Sequence, residues 1–459
     1  MSIPCETTQT LRRASRTPPA AFHIEIDDGR LLSLHQLLRI LPGKRLTGIG
    51  NLDGQPVLAK LFIAERGDER HWERERRGIA ALIEREIPTP RLLATGKLKA
   101  GGHYLLTEFI ADAHGTAVPP APTFQALGRM HACGLVHDDP HPCNFLAAGD
   151  RLLVIDGDAV REASSAADIL RNLALLCAQW PPAEEAVAHD ALLEAYRDGN
   201  PAADFNAACL AAEITQARDH RLADYLGKCL RDCSLFKVEK RRDRFVAMVR
   251  DESELLAPLV ADPDHWLDSG VPLKRGRTAT LALIELGGRK LVIKRYNIKS
   301  PGHALSRCWR PSRAWHSWVE GQRLNFLGIP TPRPLAMIEQ RLGPLRGRAW
   351  LIVEYCAGGN LADHLASCVD AEPPAAELQA IRELFGSLAS TRISHGDLKA
   401  TNLLWSDDRL CLIDLDATHQ HGEAASYARA WRKDRARFLQ NWPEGSALRR
   451  AIETVLPGT

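Results

Sequence analysis

The 459-residue sequence has no apolar run that approaches the roughly 20 residues needed to cross a bilayer, which argues against a membrane-spanning protein. It has no excess of either charge, since 59 basic residues face 57 acidic ones and leave a net charge of +2. This balance gives no global attraction to nucleic acid, and we expect no nucleic-acid partner. The 11 cysteines are odd in number and lack the spacing of a disulfide framework, so we expect free thiols in a reducing cytosol.

The N-terminal segment is polar, contains Arg12, Arg13 and Arg16, and lacks the apolar core of a secretory signal. We therefore expect residues 1–21 to be a disordered leader and the protein to be cytoplasmic. The chain is also too long for one ordinary hydrophobic core, so at least two domains are expected.

Strand and helix patterns occur in the same order twice. Short strands and turns dominate residues 22–109, and helical spacing dominates beyond about residue 120. The order returns with strands predicted at 280–284 and 291–295, followed by helices. A repeated order of strands and then helices indicates a duplicated domain rather than one large sheet. The sequence therefore predicts an α+β protein with tandem domains at 22–222 and 223–459.

A set of polar landmarks recurs at matched spacing in the two halves. Each half has a lysine in an apolar strand, an Ile-Pro-Thr-Pro turn, a His-x-Asp pair, an asparagine five residues after that aspartate, and an aspartate twelve residues later. Such agreement is hard to produce by chance. The first half contributes Lys60, His137, Asp139, Asn144 and Asp156, and the second contributes Lys294, His395, Asp397, Asn402 and Asp414.

These residue types suit phosphoryl transfer, which requires that the phosphates are held, their charge is offset by Mg²⁺ and the acceptor hydroxyl is aligned. Asp139 and Asp397 are the candidates that accept the proton of the acceptor hydroxyl. Mg²⁺ prefers oxygen ligands. The candidate metal ligands are Asn144, Asp156, Asn402 and Asp414.

The strand lysines would contact phosphate oxygens, and each needs a carboxylate on the following helix to position it. Glu75 is the candidate partner of Lys60, and Glu320 is the candidate partner of Lys294. Both glutamates lie seven residues before a leucine, ahead of the Ile-Pro-Thr-Pro turn.

Other interpretations of these motifs exist. An Asp-x-Asp pair after an apolar strand, as at Asp156 and Asp414, also occurs in glycosyltransferases, but the upstream loops favour a kinase-like site. The second acids, Asp158 and Asp416, either orient the metal ligands or cap the loop. The histidines and cysteines between residues 131 and 143 match no common zinc spacing, so His137 and His395 are expected to fix the loop backbone.

The segment from Arg307 to Trp318 mixes three arginines with three tryptophans. It would either hold an anionic phospho-sugar or membrane surface, or form a turn and a helix whose tryptophans pack in the core. We favour packing in the core.

The strand lysine, helix glutamate, His-x-Asp loop and strand-terminal aspartate together resemble the protein-kinase-like fold. Within that fold the chain resembles the bacterial lipopolysaccharide kinase family, which includes core heptose and Kdo kinases. The resemblance covers most of residues 22–445. The phrases that resemble the family are Leu41–Arg45 leading to Val57–Phe62, and Val292–Tyr296 followed by Ser312–Trp315.

The resemblance implies two bilobal domains, each with a β-rich N-lobe, a helical C-lobe and a cleft for ATP and Mg²⁺ between them. It implies hinges near Glu108 and Glu354. It also implies phosphorylation of a sugar hydroxyl on a lipopolysaccharide core acceptor, with a peripheral contact at the inner face of the inner membrane.

The sequence departs from protein kinases in several places. Neither half has a Gly-x-Gly-x-x-Gly loop, and no Ala-Pro-Glu segment follows the metal aspartate, which points away from protein substrates. Lys399 in the second loop can neutralise charge on the transferred phosphoryl group, whereas the first loop has His141 there. We expect the second half to be the stronger catalyst. The alternative is a nucleotide-binding scaffold of envelope biogenesis with one or both sites inactive.

Overall fold

Alternating buried and exposed side chains form a hairpin near the start of the chain. The strand Arg45–Leu52 buries every second residue and pairs antiparallel with Gln55–Phe62. Asp53 and Gly54 connect the two strands with φ angles of 53° and 83°. Positive φ at both turn residues matches the right-handed twist of the flanking strands, so this turn sets the register of the hairpin.

The structure is a computed structural model that describes residues 3–111, 120–297, 309–371 and 373–458. Its contacts divide the chain into two units. The first unit comprises Met1–Trp180 and Glu184–Arg218, and the second comprises Pro181–Ala183 and Asp219–Thr459.

The first unit opens with a sheet in which seven described strands lie in the order β1-β2-β3-β4-β5-β7-β6. Strands β1 and β2 are parallel, and the other neighbours are antiparallel. The strands are β1 (Cys5–Glu6), β2 (Phe22–Glu25), β3 (Leu31–Leu41), β4 (Arg45–Leu52), β5 (Gln55–Phe62), β6 (Leu92–Lys97) and β7 (His103–Glu108).

The expectation of a disordered leader is corrected for the residues from Ile3 onward. Strand β1 extends the sheet, and helix α1 (Thr8–Ala14) follows it, with Thr7 as its N-cap. Leu11 is 1% exposed in the core of the sheet, and the Thr8 hydroxyl donates to the Gly101 carbonyl. Burial of Leu11 and satisfied backbone groups stabilise a segment that composition alone describes as polar.

The rest of the first unit is mainly helical around a second core that includes Phe124, Leu127 and Tyr196. Two short antiparallel strand pairs hold the loops of interest, β8 with β11 and β9 with β10. These strands are β8 (Leu135–His137), β9 (Phe145–Ala148), β10 (Arg151–Val154) and β11 (Val160–Glu162). The helices are α2 (Asp68–Glu84), α3 (Pro120–Ala132), α4 (Ala166–Cys177), α5 (Pro182–Gly199) and α6 (Ala207–Lys228), of which α6 continues past the boundary between the units.

The second unit also begins with a sheet of seven described strands, in the order β12-β13-β17-β18-β16-β15-β14. All of its neighbours are antiparallel. The strands are β12 (Phe236–Lys240), β13 (Arg244–Val249), β14 (Val271–Arg275), β15 (Ala279–Leu286), β16 (Arg289–Tyr296), β17 (Pro334–Leu342) and β18 (Leu345–Glu354).

A helical part with short strands follows this sheet, around a core that includes Phe385, Trp431 and Phe438. The short strands are β19 (Gly359–Asn360), β20 (Ile393–Ser394), β21 (Leu403–Ser406), β22 (Arg409–Leu412) and β23 (His419–Gln420). The helices of the unit are α7 (Ala257–Ala261), α8 (Pro263–Ser269), α9 (Arg313–Phe326), α10 (Leu361–His364), α11 (Ala375–Ser390), α12 (Ala424–Leu439) and α13 (Ala447–Val455).

The tryptophans of the Arg307–Trp318 segment differ in their surroundings. Trp318 is fully buried, and Trp315 packs against the core of the sheet, as expected. Trp309 is 69% exposed. Arg307 lies outside the described residues.

The prediction of an α+β fold is confirmed, since each unit has a sheet followed by helices. The domain limits 22–222 and 223–459 and the tandem duplication remain predictions. Among the described helices, none is long and apolar enough to cross a membrane.

Candidate active site

In the first unit the predicted lysine–carboxylate group is assembled around Lys60, in the middle of the hairpin strand β5. Its Nζ lies 2.5 Å from Glu75 Oε1 and 3.0 Å from Asp156 Oδ1. Glu75, on α2, is 1% exposed, and its carboxylate also accepts the backbone N–H groups of Gly157 and Asp158. Residues separated by up to 96 positions therefore meet at one point.

Opposing effects set the charge of this group. Burial raises the pKa of Asp156, but the nearby Lys60 and Arg45 outweigh it and lower the pKa to about 2. Burial acts to lower the pKa of Lys60, and the negative charges of Glu75 and Asp156 raise it overall. Asp156 is therefore ionised at neutral pH, as a metal ligand must be.

The His-x-Asp loop of the first unit is held by its own hydrogen bonds. His137 Nε2 donates to the Ile155 carbonyl at 3.0 Å, and its Nδ1 accepts the Asp139 N–H at 3.3 Å. Asn144 Nδ2 donates to the Asp139 carbonyl at 2.8 Å. His137 thus fixes the loop backbone, as the sequence indicates, and the Asp139 side chain is on the exposed surface.

The second unit repeats this loop with nearly the same geometry. His395 Nε2 donates to the Ile413 carbonyl at 3.0 Å, and Nδ1 accepts the Asp397 N–H at 3.3 Å. Asn402 Nδ2 donates to the Asp397 carbonyl at 2.9 Å. Here Lys399 Nζ lies 3.1 Å from Asp397 Oδ1, which makes the predicted catalytic pair a direct contact.

The predicted pairing of Lys294 with Glu320 is wrong. Lys294 Nζ lies 2.6 Å from Asp414 Oδ1 and 3.0 Å from Asp416 Oδ1, while Glu320 pairs with Arg323 on its own helix at 2.8 Å. Burial acts to lower the pKa of Lys294, and the charges around it raise it overall. The lysine is therefore held protonated by two loop carboxylates.

The error comes from the landmark used to align the two helices. Glu75 lies twelve residues before Ile87, and the residue twelve before Ile329 is Ser317. Ile87 and Ile329 are equivalent, because each donates its N–H to the carbonyl five residues earlier in the preceding helix. The leucines used in the alignment are not equivalent, because Leu82 lies five residues before Ile87 whereas Leu327 lies only two residues before Ile329.

Ser317 contacts Asp416, whose carboxylate pairs with Lys294 as the helix glutamate Glu75 pairs with Lys60 in the first unit. Its hydroxyl donates to Asp416 Oδ1 at 2.9 Å, and the Tyr296 hydroxyl donates to the same oxygen at 2.9 Å. Arg313 lies 3.5 Å from Asp416 Oδ2. Asp416 is thus directed at Lys294 and positions it.

The corresponding acid of the first unit has different partners. Asp158 contacts Arg74 and His71 at 3.2 Å and Arg45 at 3.7 Å. Its contacts tie the loop to α2 and β4, because Glu75 already pairs with the lysine.

A cavity of about 550 Å³ lies beside the second site. Lys294, Asn402, Asp414 and Asp416 line its polar side. The apolar lining is provided by Leu281, Val292, Leu351, Val353, Leu404 and Ile413. An apolar pocket with a few convergent polar groups is the usual form of a small-molecule site, and this volume suits a nucleotide.

The two predicted hinge glutamates differ in their side-chain contacts. Glu354 lines the cavity, and its carboxylate lies 2.6 Å from Arg289. Glu108 accepts the Arg91 N–H at 2.9 Å at the end of β7. Their contribution to nucleotide binding remains a prediction.

The residues present fit a magnesium ion that arrives with a nucleotide. Asn402 and Asp414 line the same cavity, and Mg²⁺ is usually held by one or two protein ligands together with phosphates and water. Burial raises the pKa of Asp414, and Lys294 lowers it overall, so the carboxylate is ionised. In the part of the chain that the structure describes, no three His, Cys, Asp or Glu side chains form a metal group of their own.

Two buried residues that the sequence motifs did not indicate support the loops. Asp434, on α12, accepts the N–H groups of His395 and Gly396, and Asn172, on α4, accepts the N–H of His137. Both are almost fully buried. A polar residue at a core position of an amphipathic helix is the signal that would have indicated them.

Part of the second unit is similar to a known protein family. Residues 277–441, entirely within the second unit, match the model of the lipopolysaccharide kinase (Kdo/WaaP) family. The predicted resemblance to that family is therefore confirmed for this part of the chain. No curated protein matched the chain.

Three solved structures of kinases are among those similar to the chain. WaaP in complex with acyl carrier protein is 21% identical over 40% of this chain and 87% of its own, with a TM-score of 0.28. Vaccinia related kinase 3 is 11% identical over 34% of this chain, with a TM-score of 0.25. The M. tuberculosis PknI kinase domain is 16% identical over 32%, with a TM-score of 0.23. The chain spans 56% of the length of each of these last two.

Proposed function

We propose that the second unit transfers a phosphoryl group from ATP to a sugar hydroxyl of the lipopolysaccharide inner core, in a Mg²⁺-dependent reaction in the cytoplasm at the inner face of the inner membrane. The observation that supports this most is the convergence of Lys294, Asp414 and Asn402 on one cavity. The Asp397 loop is anchored next to Asp414 by the hydrogen bond from His395 to the Ile413 carbonyl. The family match over 277–441 supports the choice of acceptor.

Each residue has a defined task in this proposal. Lys294, held protonated by Asp414 and Asp416, binds phosphate oxygens. Asp397 accepts the proton of the acceptor hydroxyl at its carboxylate, and Lys399 stabilises negative charge on the group in transfer. When bound, ATP supplies the phosphoryl group and Mg²⁺ offsets its charge; Asn402 and Asp414 would hold the metal.

We propose the same reaction, at a lower rate, for the first unit. Lys60, Glu75, Asp156 and Asn144 supply the nucleotide and metal contacts there, and Asp139 is the proton acceptor. His141 replaces Lys399 and is a weaker source of positive charge at neutral pH.

The test uses purified full-length protein with labelled ATP, Mg²⁺ and extracted core oligosaccharide. We expect Asp397→Asn to lower kcat by about 10²–10⁴-fold, because the proton acceptor is lost while the nucleotide contacts stay. Asp139→Asn should remove only the contribution of the first unit. Unchanged transfer in the double variant would refute the assignment.

A nucleotide-binding scaffold is the second candidate. It is favoured by one observation, namely that Asp397 is in contact with two cations, Lys399 and Arg437, in the described structure. Tight binding of ATP with no label on oligosaccharide would support the scaffold, and label on polypeptide would indicate a protein kinase instead.

A further inference from the structure

The Asp397 carboxylate has a partner that the proposed reaction does not use. The Arg437 guanidinium lies 2.6 Å from Asp397 Oδ1. This contact occupies an oxygen of the carboxylate that, in the proposed reaction, must accept a hydrogen bond from the acceptor hydroxyl. Arg437 is on α12 and its side chain is 45% exposed. The guanidinium therefore lies directly beside the candidate proton acceptor.

Helix α12 presents positive charge to solvent around Arg437. Its single acid, Asp434, is 2% exposed and directed at the loop backbone. Arg429, Lys433 and Arg437 are exposed and follow one another at intervals of four residues, which places them along one side of the helix. Lys433 has no ion-pair partner within the described ranges of the chain. These three basic residues therefore form a row that ends beside Asp397, and the helix itself places no exposed acid among them.

The first unit lacks this arrangement. Asn172 supports its loop as Asp434 does in the second unit, and the residue three positions later is Leu175, where the second unit has Arg437. The second unit therefore has a guanidinium in contact with its candidate proton acceptor, and the first unit has an uncharged residue at the matching helix position.

We propose that Arg437 and Lys433 bind an anionic group of the acceptor, a phosphate or a carboxylate, next to the hydroxyl that Asp397 deprotonates. A guanidinium binds such groups through paired hydrogen bonds. The anion replaces Asp397 as the partner of Arg437, so acceptor binding also frees the base. This inference rests on the proposed function of the second unit.

The experiment compares wild type with Arg437→Gln, Lys433→Gln and the control Arg432→Gln. Arg432 is exposed on the same helix, and its Nε donates to the Ala428 carbonyl. Three acceptors are used: intact core oligosaccharide, the same material without its phosphates, and the same material with its carboxylates also reduced. The comparison of the three identifies which anion is bound.

We expect Arg437→Gln to raise KM for the intact acceptor by about tenfold, and Lys433→Gln to raise it about threefold, since a hydrogen bond between charged groups is lost. KM for ATP should stay unchanged, as should KM for the neutralised acceptor. Arg432→Gln should behave as wild type.

Two results would overturn the anion site. One is an equal effect of Arg437→Gln on charged and neutral acceptors, which would mean that Arg437 only positions Asp397. The other is no effect of Arg437→Gln on either kind of acceptor.

A binding measurement with labelled oligosaccharide in the absence of ATP distinguishes the anion site from the proposed function. If the protein binds oligosaccharide in an Arg437-dependent way but transfers no phosphate, the proposed function is refuted and the anion site is supported. If the protein transfers phosphate with the same KM for all three acceptors, the anion site is refuted and the proposed function is supported.

Discussion

At the scale of single residues, the two lysines are positioned by carboxylates from different elements. Lys60 pairs with Glu75 on a helix, and Lys294 pairs with Asp416 on the loop that follows Asp414. Ser317 occupies the helix position that corresponds to Glu75 in the first unit. Its hydroxyl donates a hydrogen bond to Asp416, and Asp416 in turn contacts the lysine. One function is thus served by two positions that are far apart in sequence.

Asp416→Asn should lower kcat/KM for ATP in the second unit by about 10–100-fold, because a charged partner of a buried lysine is lost. The measurement is steady-state kinetics at saturating acceptor in an Asp139→Asn background. Glu320→Gln is the matched control and should be within twofold of the parent. A double change of Asp416→Asn with Ser317→Glu should recover part of the activity. A larger loss in Glu320→Gln would contradict the assignment.

At the scale of elements, the distance between helix and loop decides which carboxylate is available. In the first unit α2 lies against the Asp156–Asp158 loop so closely that a Cβ on Gly78 would be 1.9 Å from the Gly157 carbonyl oxygen. The matching position of α9, three residues after Ser317, is Glu320. A side chain of that size excludes the same approach, so the carboxylate that pairs with Lys294 comes from the loop.

Gly78→Ala should destabilise the first unit by about 1–3 kcal/mol, since the methyl group forces α2 away from the loop. It should also weaken nucleotide binding at that site by separating Glu75 from Lys60. Thermal unfolding and nucleotide titration measure the two effects. Gly227→Ala is the control, because nothing lies within 4 Å of a Cβ there and the exposed helical site should gain about 0.5–1 kcal/mol. Equal stability of the two variants would contradict the close approach.

At the scale of the whole molecule, each unit has its own strand lysine, predicted metal-binding aspartate and His-x-Asp loop. The loops agree within about 0.1 Å in the hydrogen bonds that hold them. The residues at matching sequence positions differ, with His141 and Leu175 in one unit and Lys399 and Arg437 in the other. Nucleotide binding is therefore expected of both units, and efficient transfer of the second.

Calorimetric titration with a non-hydrolysable ATP analogue and Mg²⁺ should give two molecules bound per chain. Lys60→Met and Lys294→Met should each leave one, because each removes the cation that contacts phosphate in a single unit. Lys240→Met, at an exposed position of the second unit, should leave both. One bound nucleotide in the wild type, abolished by either lysine change alone, would contradict two independent sites.

The fold class and the two His-x-Asp loops could be predicted because their information is local. Strand alternation and helical spacing follow from the chain itself, and a loop such as His137–Asp156 closes through hydrogen bonds among residues fewer than twenty positions apart. Fixed spacing within so short a segment determines which side chains meet, whatever the rest of the molecule does.

Only the tertiary structure decided which residues from distant segments complete each site. Asp416 rather than Glu320 meets Lys294 across 122 positions, and Arg437 reaches Asp397 from a later helix. Helical spacing gives the face of a residue but not the depth at which that helix packs, so it could not show that the partner carboxylate of Lys294 comes from a loop. Tertiary structure also decided that the N-terminal segment is folded, because Leu11 is buried against a sheet formed mainly by later parts of the chain, which no local pattern in residues 1–21 predicts.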